Sequence, residues 1–169
     1  MIIHYFFEEA WEQDYILGKL EGHTVHFHQG VIQDYPDLTD DKAEAISVFI
    51  NSTVDQGVMQ RFPNLKLVTT RSTGFDHIDL EYAKANGIDV CNVPRYGEQT
   101  VAEYAFALLL TISRKIGMGV SRMKTDRVFD QENLRGFDLE NKTLGVIGTG
   151  KIGQHAVKIA KGFGMKIVG

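Results

Sequence analysis

The residues whose types and spacing most clearly suggest chemistry are three glycines near the end of the chain. Gly148, Gly150 and Gly153 form the pattern Gly-x-Gly-x-x-Gly, which follows the apolar run 143–147 and precedes a stripe of apolar residues at helical spacing. In a strand-turn-helix unit, the first glycine permits a tight turn, the second lets the backbone approach a pyrophosphate, and the third lets the helix pack against the strand. The pattern therefore predicts a dinucleotide-binding loop, with a purely structural turn as the alternative.

The start of the following helix would supply the hydrogen-bond donors for that ligand. The N–H groups of Lys151 and Ile152 are free at a helix N-terminus, where the helix dipole also favours negative charge. The acidic residue that normally holds the ribose about 20 residues further on has no counterpart before Gly169. We therefore expect an incomplete Rossmann βαβ unit.

The first hundred residues alternate short apolar runs with helix-like stretches. This alternation predicts an α/β fold with a doubly wound parallel sheet. The predicted strands are 2–7, 24–28, 47–50, 65–70 and 88–93, and the predicted helices are 11–20, 39–45, 54–62 and 80–86.

A different pattern begins near residue 100. Thr100 and Glu103 fit a capping box at the start of a helix that we expect to run to about residue 123. This helix is apolar on nearly every face over 104–112, so it should be covered by other domains or subunits.

Composition excludes several classes of protein. The formal net charge is −4, whereas general nucleic-acid binding needs a basic face. The single cysteine, Cys91, cannot form an internal disulfide, and we expect it to be a small core residue. The N-terminus lacks a basic segment, and no apolar run is long enough for a membrane span, so the expected location is cytoplasmic.

Three further stretches carry a resemblance to a known family. They are 71–80 (RSTGFDHIDL), 93–105 (VPRYGEQTVAEYA) and 134–153 (LRGFDLENKTLGVIGTGKIG), the last followed by GFGM at 162–165. In order and spacing the chain resembles the N-terminal part of the D-isomer-specific 2-hydroxyacid dehydrogenase family, and its D-lactate dehydrogenase branch in particular.

The resemblance implies a fold and an activity. It implies a flavodoxin-like substrate-binding domain over 1–98, followed over 99–169 by an interdomain helix and a truncated NAD-binding Rossmann domain. The implied reaction is hydride transfer between NAD and a small 2-oxoacid or D-2-hydroxyacid. Pyruvate and D-lactate are the expected pair, and phosphoglycerate, glyoxylate, hydroxypyruvate and other 2-oxoacids are the alternatives within the family. The implied assembly is a homodimer, and neither a membrane nor a nucleic acid is expected as a partner.

The resemblance also implies which residues form the binding sites. Substrate contacts fall on the backbone loop Ser72, Thr73, Gly74 and Phe75 and on the pocket positions Tyr96, Ile50 and Asn51. Cofactor contacts fall on Gly148, Gly150, Lys151, Ile152, Gly153, Thr73 and Val101. After Tyr96 the chain has Gly97-Glu98 where the family often has Ser-Pro, so the local turn departs from the family pattern.

None of these residues is expected to be catalytic. In the family an Arg that binds the carboxylate, a His acid/base and a Glu that orients it lie beyond the glycine motif, where this sequence has no counterpart. We therefore expect the chain alone to be inactive, and the alternative function is a non-catalytic ligand-binding or self-associating module. His77 in the loop is expected to be a turn residue rather than an acid/base, and His26 and His28 are expected to face solvent rather than to bind a metal.

Overall fold

The computed structural model describes residues 1–169, which divide into two units, Met1–Arg95 and Tyr96–Gly169. The first unit contains five strands and three α-helices. The strands are β1 Ile2–Phe7, β2 Thr24–Gln29, β3 Ala45–Val48, β4 Leu67–Thr70 and β5 Asp89–Cys91, and the helices are α1 Ala10–Leu17, α2 Gln56–Gln60 and α3 Leu80–Ala85.

The five strands form one sheet in the order β2-β1-β3-β4-β5, and every neighbouring pair is parallel. The order reverses direction between β1 and β3, which is the switch point of a flavodoxin-like sheet. The structure thus confirms the predicted α/β fold with a doubly wound parallel sheet.

The two faces of the sheet are covered by different helices. Phe6, Ile46 and Val68 point to one face, where they form the main core with residues of α2 and α3. Tyr5 points to the other face, towards α1, and its hydroxyl donates to Glu12 at 3.2 Å. Because both faces are covered, the strands can be apolar along most of their length.

Two expectations for the first unit are wrong. The helix expected over 39–45 is absent: residues 39–44 form a turn that leads into β3, in which Asp40 Oδ1 accepts from Lys42 N–H and Asp40 Oδ2 accepts from His4 Nε2. Cys91 is exposed rather than part of the core.

The second unit contains α4 Glu98–Ser113, α5 Ile116–Thr125, β6 Thr143–Gly145, α6 Lys151–Gly162 and β7 Lys166–Val168. Strands β6 and β7 are parallel, so β6-α6-β7 is the predicted βαβ unit. The single helix expected from Thr100 to about residue 123 is wrong on two points. Gly97 is the N-cap of α4, so Thr100 lies inside it, and Lys115 (φ 57°) separates α4 from α5 in a left-handed conformation that interrupts the helix.

Packing in the second unit leaves one side of α4 open. Phe106 of α4 stacks on Phe163 after α6, with ring centroids 5.8 Å apart. Tyr104, Leu108 and Ile112 remain 67%, 49% and 65% exposed. None of the helices is both long and apolar enough to cross a membrane.

Candidate functional site

The carboxyl ends of β1, β3 and β4 meet at one edge of the first sheet. In parallel α/β sheets this edge at the switch point is where ligands bind. Strand β4 leads into the loop 71–77, and Ile50 and Asn51 lie just beyond β3. Asn51 Nδ2 donates to Glu8 Oε1 at 2.8 Å, which links the ends of β3 and β1 across the switch point.

The carbonyl groups of residues 72–75 in this loop all accept hydrogen bonds. The donors are Val93 N–H to Ser72 O (3.0 Å), Asn92 Nδ2 to Thr73 O (2.8 Å), Ser72 Oγ to Gly74 O (2.7 Å) and Ile78 N–H to Phe75 O (3.0 Å). By contrast, the N–H groups of residues 73–77 have no backbone or side-chain acceptor in the protein. Successive unpaired N–H groups in a turn are typical of loops that bind anions.

The side chains of Thr70, at the end of β4, and of Ser72 and His77 in the loop are joined by hydrogen bonds. Thr70 Oγ1 is 2.6 Å from Ser72 Oγ, and His77 Nε2 is 3.0 Å from Thr70 Oγ1. Thr70 and Ser72 are only 1% and 2% exposed. Burial lowers the pKa of His77, although the adjacent Asp76 carboxylate acts in the opposite direction. Sequence reasoning missed Thr70, whose one available signal was a hydroxyl at the end of a buried strand.

Arg71 anchors the start of the loop. Its Nη2 donates to Phe6 O at 2.8 Å and lies 3.2 Å from Glu12 Oε2, and its guanidinium lies 4.4 Å from the ring centre of Tyr5. Nη1 also donates to Ser47 Oγ at 3.3 Å. Arg71 therefore joins the ends of β4, β1 and β3, a role that the sequence did not suggest.

The partners of Arg71 titrate abnormally. Burial raises the pKa of Tyr5 to about 12, partly offset by the charge of Arg71. Burial also tends to raise the pKa of Glu12. Hydrogen bonds from the N–H groups of Glu9 and Glu8, together with the Arg71 charge, outweigh this effect, so the pKa of Glu12 is lowered. Glu12 and Arg71 thus form a charged pair at the base of the loop.

The glycine loop of the second unit follows β6. Gly148 has φ 94°, which suits glycine, and Gly150 is the N-cap of α6. The first hydrogen bond of α6 runs from Gln154 N–H to Gly150 O at 2.9 Å, so the N–H groups of Lys151 and Ile152 have no partner.

The space around these glycines differs from one to the next. A Cβ at Gly150 would meet no atom within 4 Å, so the backbone there is open to a ligand. A Cβ at Gly153 would collide with the carbonyl of Gly148. The second glycine therefore leaves room for a ligand, and the third allows close packing.

The remaining expected site residues are partly or fully exposed. Tyr96 and Val101 belong to the second unit and are 58% and 50% exposed. Phe75 and Ile50, in the first unit, are 42% and 52% exposed. The Thr73 hydroxyl is engaged, since it donates to Val93 O at 3.0 Å.

The strand histidines form a separate cluster. His26 is exposed as expected, but the expectation that His28 faces solvent is wrong. His28 is half-buried, and its Nε2 lies 2.9 Å from Nδ1 of the buried His4. His4 Nε2 in turn lies 3.0 Å from Asp40 Oδ2. Burial, together with the neighbouring His4 and His26, lowers the pKa of His28 to about 4. The structure contains no group of three or more side chains arranged to hold a metal ion.

Comparisons with known proteins identify relatives of the chain. The family described as "D-isomer specific 2-hydroxyacid dehydrogenase, catalytic domain" matches residues 5–160. The chain is 36% identical over 149 residues to 2-hydroxyacid dehydrogenase homolog 1 of Schizosaccharomyces pombe, covering 86% of this chain and 45% of the relative. It is 35% identical over 149 residues to the D-lactate dehydrogenase of Escherichia coli, covering 87% of this chain and 45% of the relative.

A solved structure gives the same assignment. The D-lactate dehydrogenase of Aquifex aeolicus, complexed with NAD and lactic acid, superposes with a TM-score of 0.87 at 31% identity. The match covers 98% of this chain and 50% of that one. The chain thus spans about half the length of the proteins it matches. On both the family match and the fold, this chain belongs to the D-isomer specific 2-hydroxyacid dehydrogenase family.

Proposed function

We propose that the chain is the substrate-binding part and the beginning of the cofactor-binding part of an NAD-dependent oxidoreductase. The reaction is the interconversion of a 2-oxoacid and a D-2-hydroxyacid, with pyruvate and D-lactate as the pair. The unit Met1–Arg95 is the substrate-binding domain expected over 1–98, and the unit Tyr96–Gly169 holds the interdomain helix α4 and the first βαβ unit of the cofactor domain expected over 99–169. The observation that carries the proposal is the loop 72–77 at the switch-point edge, where the carbonyl groups of residues 72–75 accept hydrogen bonds and the N–H groups of residues 73–77 are unpaired.

The loop is suited to the carboxylate that every 2-oxoacid and 2-hydroxyacid carries. The N–H groups of Gly74 and Phe75 donate to the carboxylate oxygens, and they are already turned towards the ligand before it arrives. Ser72 contributes through the loop rather than by contact, since its hydroxyl is buried against Gly74 O. Thr73, Ile50 and Asn51, all in the first unit, line the surroundings of the substrate.

The glycine loop fits the pyrophosphate of NAD. The empty space beside Gly150 accepts the phosphate oxygens, and the free N–H groups of Lys151 and Ile152 donate to them. Gly148 and Gly153 hold the turn close enough for this contact, and Val101 lies near the nicotinamide. When bound, NAD supplies the hydride acceptor or, in its reduced form, the hydride donor.

We further propose that these 169 residues bind both ligands but do not catalyse the reaction by themselves. The Arg, Glu and His that the family uses lie beyond the glycine motif and have no counterpart in this sequence. His77 does not replace the family's histidine, because its Nε2 is already bonded to Thr70.

The test combines binding and turnover in one sample. We expect calorimetric titration of the purified chain with NADH to detect binding, and we expect no pyruvate-dependent loss of NADH absorbance at 340 nm. Absence of NADH binding at millimolar concentrations would contradict cofactor binding by the half-unit. Turnover of pyruvate would contradict the absence of catalytic residues and would make His77 the first residue to replace.

The exposed side of α4 supports the expected homodimer. Tyr104, Leu108 and Ile112 form an apolar stripe at helical spacing, which is typical of an interface. We expect light scattering to give twice the mass of the chain, and we expect Leu108→Glu to give the monomer mass. The matched control is Leu17→Glu on α1, which is 55% exposed and should leave the dimer intact. A monomeric wild-type chain would contradict this proposal.

A further inference from the structure

The hydrogen bonds among Thr70, Ser72, Gly74 and His77 form one continuous series, the His77–Gly74 hydrogen-bond series, in which every donor is fixed. It runs from His77 Nε2 to Thr70 Oγ1 (3.0 Å), to Ser72 Oγ (2.6 Å) and to Gly74 O (2.7 Å). Because Thr70 and Ser72 are 1% and 2% exposed, water does not compete for their protons. Which group donates in each bond is therefore decided by the four groups of the His77–Gly74 hydrogen-bond series alone.

The carbonyl oxygen of Gly74, at one end of the series, determines which group donates in every other bond. A carbonyl oxygen only accepts, and each hydroxyl has one proton to give. Ser72 therefore donates to Gly74 O, Thr70 donates to Ser72, and His77 Nε2 must donate to Thr70. In its neutral form, which burial favours by lowering the pKa of His77, the imidazole then carries its proton on Nε2 and not on Nδ1.

The His77–Gly74 hydrogen-bond series orients the peptide group between Gly74 and Phe75. The C=O and N–H of a trans peptide point in opposite directions, and the protein has no cis peptide bond. When Ser72 holds Gly74 O towards the interior, the N–H of Phe75 points away from it, to the ligand side of the loop. Gly74 has no Cβ to restrict rotation of this peptide, so the orientation depends on the hydrogen bond.

We propose that His77 is a positioning residue that directs the Phe75 N–H to the substrate carboxylate through Thr70 and Ser72. This inference rests on the proposed carboxylate site at residues 72–77. His77 touches neither substrate nor cofactor in this arrangement. His77 donates its Nε2 proton to Thr70. Thr70 then donates to Ser72, and Ser72 donates to the carbonyl of Gly74.

The test compares two substitutions of His77. In His77→Gln the side-chain amide can place an N–H near the position of Nε2, whereas His77→Phe fills the space without a donor. The probe is pyruvate, titrated into the 15N-labelled chain while the backbone amide signals of Gly74 and Phe75 are followed by NMR. We expect the dissociation constant to rise about tenfold in His77→Phe, because a buried hydrogen bond is lost, and to stay within about twofold in His77→Gln.

A merely structural role for His77 would give a different pattern. In that case the two variants would lose urea stability and pyruvate affinity together, and His77→Gln would not restore binding. Equal pyruvate affinity in the wild type and in His77→Phe would also overturn the inference, while leaving the proposed function intact. Thr70→Val is nearly isosteric and breaks the His77–Gly74 hydrogen-bond series at Thr70, so it should reproduce the effect of His77→Phe.

A second measurement does not require a ligand. Long-range 1H–15N correlations of the His77 ring should show the proton on Nε2, and the free Phe75 amide signal should move in His77→Phe but not in His77→Gln. A proton on Nδ1 would overturn the inference, because Thr70 would then donate to the ring. If the wild-type chain does not bind pyruvate, the proposed function fails, and these two ligand-free readouts decide the inference about His77.

Discussion

The loop 71–77 of the first unit and the glycine loop 148–153 of the second unit both leave a set of N–H groups unpaired, but they do so in opposite ways. In the first unit, side chains hold the loop: Ser72 and Asn92 bond to its carbonyls, and Arg71 fixes its start. In the second unit, the lack of side chains does so: Gly148 takes a positive φ and Gly153 permits backbone contact. Substitutions that remove side-chain atoms should therefore impair the first loop, whereas substitutions that add atoms at the glycines should impair the second.

The largest effect is expected where an added atom has no space. In Gly153→Ala the new Cβ would collide with the carbonyl of Gly148, which is backbone and cannot move aside. We expect the free energy of unfolding of the second unit to fall by about 3 kcal/mol, measured by hydrogen exchange of the α6 amides. Gly162→Ala in the same helix, where a Cβ meets nothing within 4 Å, is the control. Normal α6 protection in Gly153→Ala would show that the loop relaxes.

The next largest effect is expected where a side chain is removed from the first loop. Arg71→Met should lower the free energy of unfolding of the first unit by about 2 kcal/mol, because Glu12 and Phe6 O lose a charged hydrogen-bond donor. Urea unfolding followed by the fluorescence of Trp11, the single tryptophan, reports on this unit. Arg95→Met, at an exposed position, should change it by less than about 0.5 kcal/mol. Equal stability of the two variants would mean that Arg71 does not support the loop.

Adding an atom where there is space should affect the ligand alone. Gly150→Ala should weaken NADH binding by about tenfold, because the new Cβ would occupy the approach that we propose for the pyrophosphate. Nothing in the protein lies within 4 Å of that Cβ, so protection of α6 should be unchanged. Calorimetry with NADH measures the first quantity, and hydrogen exchange measures the second. Unchanged NADH affinity in Gly150→Ala would place the pyrophosphate elsewhere.

The smallest effect concerns acid stability of the first unit, away from both loops. The pKa of His28 is lowered to about 4 by burial and by His4 and His26. Between about pH 6.5 and pH 4, His28 is therefore protonated in the unfolded protein but neutral in the folded protein. The free energy of unfolding should therefore fall by about 1 kcal/mol or less from pH 7 to pH 5.5, since partial exposure of His28 screens the effect. Urea unfolding of wild type and His28→Phe at both pH values checks this. The same pH slope in both proteins would assign the dependence to another group.

The sequence allowed the sheet and the glycine loop to be predicted because their signals are local. Apolar runs at strand length mark β1 to β5, and the spacing of Gly148, Gly150 and Gly153 is itself the motif. The predicted helix over 39–45 was wrong: Asp40 does accept a local hydrogen bond from Lys42 N–H, but its second oxygen bonds to His4, 36 positions earlier, and the segment is a turn. Sequence periodicity does not reveal such a distant partner.

The support of the first loop was not predictable for the same reason. Arg71 bonds to Phe6, 65 positions away, and Asn92 bonds to Thr73 from the end of another strand. The resemblance placed residues 72–75 at the substrate, but it assigned no role to Thr70 or Arg71. Contacts that close only when the sheet has formed leave no periodic trace along the chain.

The strand order has a consequence for the way the first unit assembles. Strand β1 pairs with β2 early in the chain, but its other neighbour is β3, where Ile3 meets Ala45. Closing a loop of that length costs chain entropy before the pairing is rewarded, which makes parallel sheets slow to form. During synthesis, β1 keeps an open edge until β3 has left the ribosome, and this edge is a template for pairing with other chains. The segment between β2 and β3 therefore sets how long the nascent chain is exposed to aggregation.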